Sequence, residues 1–566
     1  MVYAAAEIDE WFETLDGAFE GKLPDDHSLI RTFGGQGWRV RTMGVGLLVL
    51  ADKDFPYSKP RAFIESYDRK RPQPHIEPIA KLGELAHVCL TTPTTPHDPL
   101  LSVQSALHDA RLLLRANENG EEDEDFGNDF GSYWSHYLPD GAKAARLWGL
   151  LLLKSGIGAF AHATDETYYC FPDKESLRRY SRHLWRGFIR DPHQFPLIEM
   201  RRLPRPERFP TDTESLLGFL KRYTVDGMHA IGELLRARPR HLPVVFSGTG
   251  PNGRVFQVAL ELAVRQDAKG RPPVKAHIHS KLGDEDVIRL YDVLPLDTRN
   301  LDAALTRLPD RDLAATRKKV VAIGCGALGS GIAIMLAKAG VARFVLIDPE
   351  ILGWENIRRH ELGAEFVGEP KALALKGRIE RAIPDVEDVQ AISASFQQAI
   401  EANPGLLQDA DLVIAATGDW GCDVLLDQEV SAREVPLPTI YTWTEAFALA
   451  THAVLISGKG GQFVDGFDIS GSFKGKASES KRDPPPECGN TSSPFGAVEV
   501  AQSQALAAKL ALEVLGGRHI GADVWRTRTC EQSTLEDADG RWADNWIEAR
   551  GKPSAFGEVS ESAWKF

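Results

Sequence analysis

The segment KKVVAIGCGALGSGIAIMLAKAG, Lys318 to Gly340, constrains the fold more than any other part of this 566-residue chain. A β-type run ends in Gly324-Cys325-Gly326-Ala327-Leu328-Gly329, and a helical period takes over at once. Gly324, Gly326 and Gly329 permit a tight turn and let backbone N–H groups approach phosphate at the positive end of the helix. The next β-type run, RFVLID, closes on Asp348, 19 residues past Gly329, where an acid can hold ribose hydroxyls. Helical KALALKGRIERAI and strand-like DADLVIAATGD continue the alternation. From Thr316 onward the expectation is a doubly wound, Rossmann-like parallel sheet that binds a nucleotide. Up to this point a dinucleotide-dependent dehydrogenase fits as well as an ATP-using enzyme.

The residues after Asp348 separate the two. The continuation IDPEILGWENIRRHELGAEFVGEPKALAL sets Asn356 and Arg359 in an N-x-x-R spacing, then Gly368-Glu369-Pro370-Lys371, and Asp419 follows DLVIAATG. In this ordered set, residues 316 to about 517 resemble the ThiF-type adenylating domain, the family of bacterial sulfur-carrier adenylyltransferases and eukaryotic ubiquitin-activating enzymes. The resemblance implies ATP and Mg²⁺ as cofactors and a carboxylate as the group adenylated. When a carboxylate attacks the α-phosphate, two anions approach and charge gathers on the departing pyrophosphate. Arg359 and Lys371 are expected to neutralise it, Asp419 to hold Mg²⁺, and Asn356 to hydrogen-bond nucleotide or phosphate oxygens. The family's upstream nucleotide-reaching arginine has no counterpart in RDLAATRKK, which leaves Arg311 and Arg317 without a role. The zinc-binding C-x-x-C pairs of many relatives are also missing.

Six cysteines lie far apart, which argues against a disulfide framework and a four-cysteine zinc site. Cys488 sits in SKRDPPPECGNTSSPFGA, between stiffening prolines and a loosening Gly-Asn pair. Ubiquitin-activating-type enzymes carry a cysteine on a loop past the last ATP-binding strand, and it takes the acyl group from the adenylate. The resemblance implies that role for Cys488, with Lys481 and Arg482 favouring its thiolate. Cys325 is expected as a small filler in the glycine loop, and Cys170, Cys422 and Cys530 as structural.

A second thiol comes from the N-terminal region. DFPYSKPRAFIESY, followed by PQPHIEPIAKLGELAHVCLTT, resembles a ubiquitin-conjugating enzyme: Phe55-Pro56-Tyr57 with Pro60, then His75, Gly83 and Cys89-Leu90. The resemblance makes Cys89 the second acyl carrier. Pro74-His75-Ile76 replaces the family's His-Pro-Asn, so the asparagine that supports the oxyanion is absent from its place. His75 and His87 are open between substitute and structural roles.

The expected layout is a ubiquitin-conjugating-like α+β domain over residues 1–115, an acidic linker over 116–139, an intervening α/β domain over 140–315, and the adenylation domain over 316–566. In the intervening part, His277 and His279 alternate as on a strand face without a third ligand, and Leu147 to Leu153 reads as a buried helix. That apolar run is too short to span a bilayer, and no secretory signal opens the sequence, so a cytoplasmic protein with no membrane partner is expected. Against 66 Lys and Arg stand 80 Asp and Glu, and the net charge of −14 disfavours nucleic acid as a partner.

The domain order resembles the fused enzymes of bacterial CBASS antiphage operons. It implies a protein substrate with an activatable C-terminus, a cGAS-like nucleotidyltransferase, joined to an amine on a target protein. ThiF-like domains pair as homodimers, and a homodimer is expected here. The rival readings are adenylation for sulfur transfer to a carrier protein and a nucleotide-binding scaffold without turnover.

Overall fold

The structure is a computed structural model that describes residues 5–42, 44–79, 82–90, 97–138, 142–147, 156–164, 167–178, 193–265, 281–300, 315, 318–383, 386–457, 461–482 and 495–566. Cys488, His277, His279, Arg311 and Arg317 lie outside these residues, as does the apolar run beyond Leu147. The chain divides into two compact units. One comprises Met1–Arg179 and Phe188–Leu301, and the other is built chiefly from Asp302–Phe566.

The first unit opens on an antiparallel sheet of β1 (Gly21–Lys22), β2 (Gln36–Thr42), β3 (Val45–Ala51), β4 (Arg61–Ile64), β5 (Ile76–Pro78) and β6 (Ala86–Val88), in the order β1-β2-β3-β4-β6-β5. The apolar run in β3 is buried on both faces. Leu47 and Val49 pack under helices Ala5–Ala18 and Pro99–Asn119, while Leu48 and Leu50 meet Leu23, Leu29 and Phe63. Helix Pro99–Asn119 starts where Asp98 accepts the Leu101 N–H (2.9 Å) with proline in the first turn, and it stops at Gly120 in the left-handed region, φ +72°.

The acidic run expected as a linker is folded instead. Helix Pro99–Asn119 runs into it, Asp125–Asn128 is a further helical turn, and Phe130–His136 is helical. Phe126, Phe130, Tyr133 and Trp134 are buried at helical spacing, which anchors the segment despite its charge. Its acids also find partners: Asp123 pairs with Arg205 at 2.6 Å, and Arg205 lies over the Phe126 ring.

The rest of this unit is a closed barrel of β7 (Ala144–Leu147), β8 (Gly156–Thr164), β9 (Thr167–Phe171), β10 (His193–Glu199), β11 (His241–Thr249), β12 (Val255–Val264) and β13 (Tyr291–Asn300). Antiparallel pairing of β10 with β8 closes it, which removes free sheet edges. Phe160, Tyr168, Phe195, Val245 and Leu296 fill the interior, and helices Thr213–Tyr223 and Gly227–Leu235 pack against a second core. At its start Leu147 is the last residue of a strand, so the helix expected from that residue does not begin there.

The second unit holds the doubly wound sheet: β14 (Lys319–Ile323), β15 (Arg343–Ile347), β16 (Asp388–Ile392), β17 (Leu412–Ala415) and β18 (Thr439–Thr444), parallel in the order β16-β15-β14-β17-β18. Antiparallel β19 (Ala450–Ile456), β21 (Val524–Thr529) and β23 (Glu558–Ala563) extend it, and a small ribbon pairs β20 (Ser478–Ser480) with β22 (Gly540–Trp542). Helices cover both faces: Val320 and Ala322 belong to one core, Val321 and Ile323 to the other, as a twice-buried parallel strand requires. Strand order reverses at β14, and a crevice at such a switch point is where open α/β sheets bind ligands. Among the described residues no helix is long and apolar enough to cross a membrane.

Candidate functional site

The glycine loop leaves the carboxyl end of β14. Gly324 has φ +85°, and a Cβ there would stand 2.5 Å from the Ala416 carbonyl oxygen. A Cβ on Gly329 would stand 1.8 Å from the Gly324 oxygen, so these two glycines are demanded by the fold itself. Gly326 differs: it precedes helix Ala327–Lys338, and among the described residues a Cβ there meets nothing within 4 Å. That open space borders a helix N-terminus whose N–H groups face it, which suits a phosphate.

Asp348 follows β15. Its Oδ2 accepts the Cys325 N–H (2.6 Å) and its Oδ1 the Glu350 N–H (2.8 Å), while burial raises its carboxyl above the usual range. Each oxygen keeps a lone pair for a ribose hydroxyl. His360 braces the same loop. Its Nδ1 accepts the Leu362 N–H (3.1 Å), so Nε2 carries the proton and donates to the Cys325 carbonyl (2.6 Å); burial lowers its pKa to about 4. Cys325 is fully buried, and burial holds its thiol well up, in keeping with a filler.

Lys371 opens helix Lys371–Ala382, is buried, and pairs with the exposed Glu350. Its charge favours the ionised form of Asp348, the carboxyl that accepts the Cys325 N–H in the glycine loop. Asn356 Oδ1 accepts the Gly353 N–H (3.0 Å), and Arg359 lies over the Phe495 ring. Asp419, exposed past the end of β17, caps helix Trp420–Ser431 through Oδ1 and the Cys422 N–H (2.8 Å). One turn on, Asp423 accepts from Thr417 Oγ1 (2.7 Å), and burial with Asp419 nearby raises its pKa to about 7. Oxygen donors of this kind suit Mg²⁺. Glu350, His360, Asp423 and Phe495 escaped the sequence reading because no motif spacing marks them.

Cys89 stands just after β6, exposed, so it is not a core residue. Its N–H donates to the His75 carbonyl (2.8 Å). The His75 loop is held from the folded acidic segment: the His75 N–H donates to Tyr133 Oη (2.9 Å), and that hydroxyl donates to Asp125. Asn117 Nδ2 also donates to the Pro74 carbonyl (2.9 Å), so an amide reaches this loop from a helix rather than from the missing motif. The His75 ring lies 3.6 Å from Asp125, and His87 and His136 lie 3.7 and 3.6 Å from Glu77. Burial pushes the Cys89 thiol up, Glu77 adds to this, Lys59 opposes it, and Asp125 and Asp129 raise it further. Cys89 alkylation by iodoacetamide, followed on its peptide by mass spectrometry, is therefore expected to rise with pH to a midpoint above the ordinary thiol range. Glu77→Gln should lower that midpoint, because a lost negative charge favours the thiolate. A midpoint unmoved by the substitution would remove Glu77 from the thiol's surroundings.

Arg482 Nη1 donates to the Asp537 carbonyl (2.7 Å), which commits part of one of the two cations expected to favour the Cys488 thiolate. Cys170 and Cys530 are buried and Cys422 is half-buried, each with its thiol raised by burial, so all three suit structural roles.

Residues 299–510 match the ThiF family, and residues 32–142 match prokaryotic E2 family B. Among curated proteins, an ATP-dependent ubiquitin transferase-like protein Cap2 of Enterobacter hormaechei is 38% identical over 104 residues, 18% of this chain and 17% of that protein. Its namesake in Pseudomonas aeruginosa is 28% identical over 175 residues, 29% of either chain. The adenylyltransferase and sulfurtransferase MOCS3 of Danio rerio is 28% identical over 137 residues, 24% of this chain and 28% of that protein. The chain thus spans less than a third of the length of each of these relatives. One polypeptide carries a prokaryotic E2 family B domain, with Cys89 inside it, followed by a ThiF domain around the glycine loop.

Proposed function

We propose that this chain activates the C-terminal carboxylate of a protein with ATP and passes the acyl group through two thiols to an amine. The observation that carries the reading is a pairing on one chain: an exposed thiol in an E2-type domain, and a glycine loop with Lys371, Arg359 and Asp419 in a ThiF domain. A carboxylate oxygen bonds to the α-phosphorus of ATP and the bond to pyrophosphate breaks. Gly326 leaves room for the phosphates, Asp348 holds the ribose, and Asn356 bonds nucleotide or phosphate oxygens. Arg359 and Lys371 offset the charge gathering on pyrophosphate, Lys371 exchanging Glu350 for phosphate. Asp419 would hold Mg²⁺, which screens the phosphates when bound.

The Cys488 thiolate then bonds to the acyl carbon and AMP leaves. The Cys89 thiolate takes the acyl group and Cys488 departs as thiolate, one thioester replacing another of similar energy. An amine finally forms an amide and releases Cys89. Fusion of the domains raises the effective concentration of the second thiol. Likeness to the Cap2 proteins supports a ubiquitin-transferase-like role in a CBASS setting; the further proposal is a cGAS-like nucleotidyltransferase as the activated protein, an amine-bearing target, a cytoplasmic site of action and a homodimer through the ThiF domain. The MOCS3 likeness favours a second reading, sulfur transfer to a carrier protein, in which Cys89 would carry no acyl group.

Pyrophosphate–ATP exchange in the presence of the protein substrate tests the first step. Asp419→Ala should lower exchange by roughly 10²-fold or more, while Cys488→Ala and Cys89→Ala leave it at the wild-type rate. Equal loss in Cys488→Ala would make that thiol structural. Wild type without exchange on any candidate substrate would favour the scaffold.

A further inference from the structure

Arg359, the cation assigned above to the phosphates, makes no side-chain hydrogen bond or ion pair among the described residues. Its guanidinium lies 4.7 Å from the centroid of the Phe495 ring. Both partners in this contact are tied to the glycine loop. Arg359 directly precedes His360, which donates to the Cys325 carbonyl. Phe495 stands two residues before helix Ala497–Leu515, whose Gln504 Nε2 donates to the Ala327 carbonyl (2.7 Å) in the first turn of the glycine-loop helix. The ring is half-buried and stands outside both large apolar cores of this unit, so core filling does not account for it.

A cation–π contact is made with the face of the aromatic ring and needs none of the five in-plane N–H donors through which a guanidinium binds anions. The contact with Phe495 therefore leaves those donors available to phosphate, and among the described residues no acceptor takes them. A long, unpaired arginine side chain otherwise loses rotamer freedom when it meets a ligand, and a platform that restricts it beforehand reduces that loss.

The geometry points to Phe495 as a positioning residue for ATP: its ring holds the Arg359 guanidinium beside the glycine loop while its N–H donors stay available to the phosphates. This rests on the adenylation reading and extends it to a residue outside every motif of the ATP site. Phe495 touches no reacting atom and acts only through Arg359.

Calorimetry of the full chain with Mg-ATP tests this without requiring turnover. Phe495→Leu keeps an apolar side chain and removes the π face, and should weaken ATP binding about fivefold. Phe495→Trp should restore affinity to within about twofold of wild type. Arg359→Met should weaken binding by itself, and adding Phe495→Leu to it should cost nothing more, since the ring would have no cation left to place. Thermal melts matching wild type confirm that each variant is folded. Equal weakening by Phe495→Leu with and without Arg359, or a Trp variant as weak as the Leu variant, would overturn the inference and leave Phe495 as packing for the helix start. Wild type that binds no ATP would overturn the adenylation reading itself, a result distinct from additivity.

Discussion

Gly326→Val should abolish ATP binding in a chain that stays folded. Among the described residues nothing beyond its chain neighbours lies within 4 Å of a Cβ at Gly326, so a side chain there would occupy space left for a ligand. Phosphate approaching the helix N-terminus would meet the valine methyls, and the backbone N–H contacts that make such a site would be lost. Gly329→Val is the contrasting control, since its Cβ would strike the Gly324 oxygen and unfold or distort the loop. Mg-ATP calorimetry with circular dichroism on both variants gives the answer. Wild-type affinity in folded Gly326→Val would remove the nucleotide from this loop.

The thiol relay should give the other all-or-none result, because its two steps have an order. In Cys89→Ala the acyl group should stop on Cys488 as an adduct that a reducing agent cleaves on a gel. In Cys488→Ala no adduct should reach Cys89. Cys89→Lys should convert the second thioester into a reductant-resistant amide, because an amine beside the same acyl donor forms a far less reactive bond. Mass spectrometry of that trapped amide would read out the C-terminal residue of the substrate. Loading of Cys89 at the wild-type rate in Cys488→Ala would replace the relay with direct transfer from the adenylate.

The adenylation fold was legible because its signals are local. The strand, glycine loop and helix from Lys319 to Lys338 are contiguous, and β14, β15 and β17 are nearly continuous apolar runs. What supports the Cys89 loop was hidden for the opposite reason. The Tyr133 hydroxyl and the Asn117 amide reach it from 58 and 43 residues away, and acids between them masked the helical spacing of Phe126, Phe130 and Trp134. The barrel was equally unreadable: its closure depends on β10 meeting β8, a pairing that no periodicity in either strand announces. Phe495 belongs to the same class, an ordinary aromatic whose place over Arg359 exists only in three dimensions.

Helix Phe130–His136 leaves little room for dissection at this junction. Tyr133 braces the Cys89 loop, while the next two residues bond the barrel, Trp134 Nε1 to the Leu296 carbonyl and Ser135 Oγ to Asp297, both at 3.1 Å. A truncation ending at residue 115 would strip the thiol loop of its brace, and a clone starting at 140 would strip the barrel of its indole. Chimeras between relatives should therefore exchange everything through Asn300 as one block, and a crossover in the acidic run should yield two damaged halves.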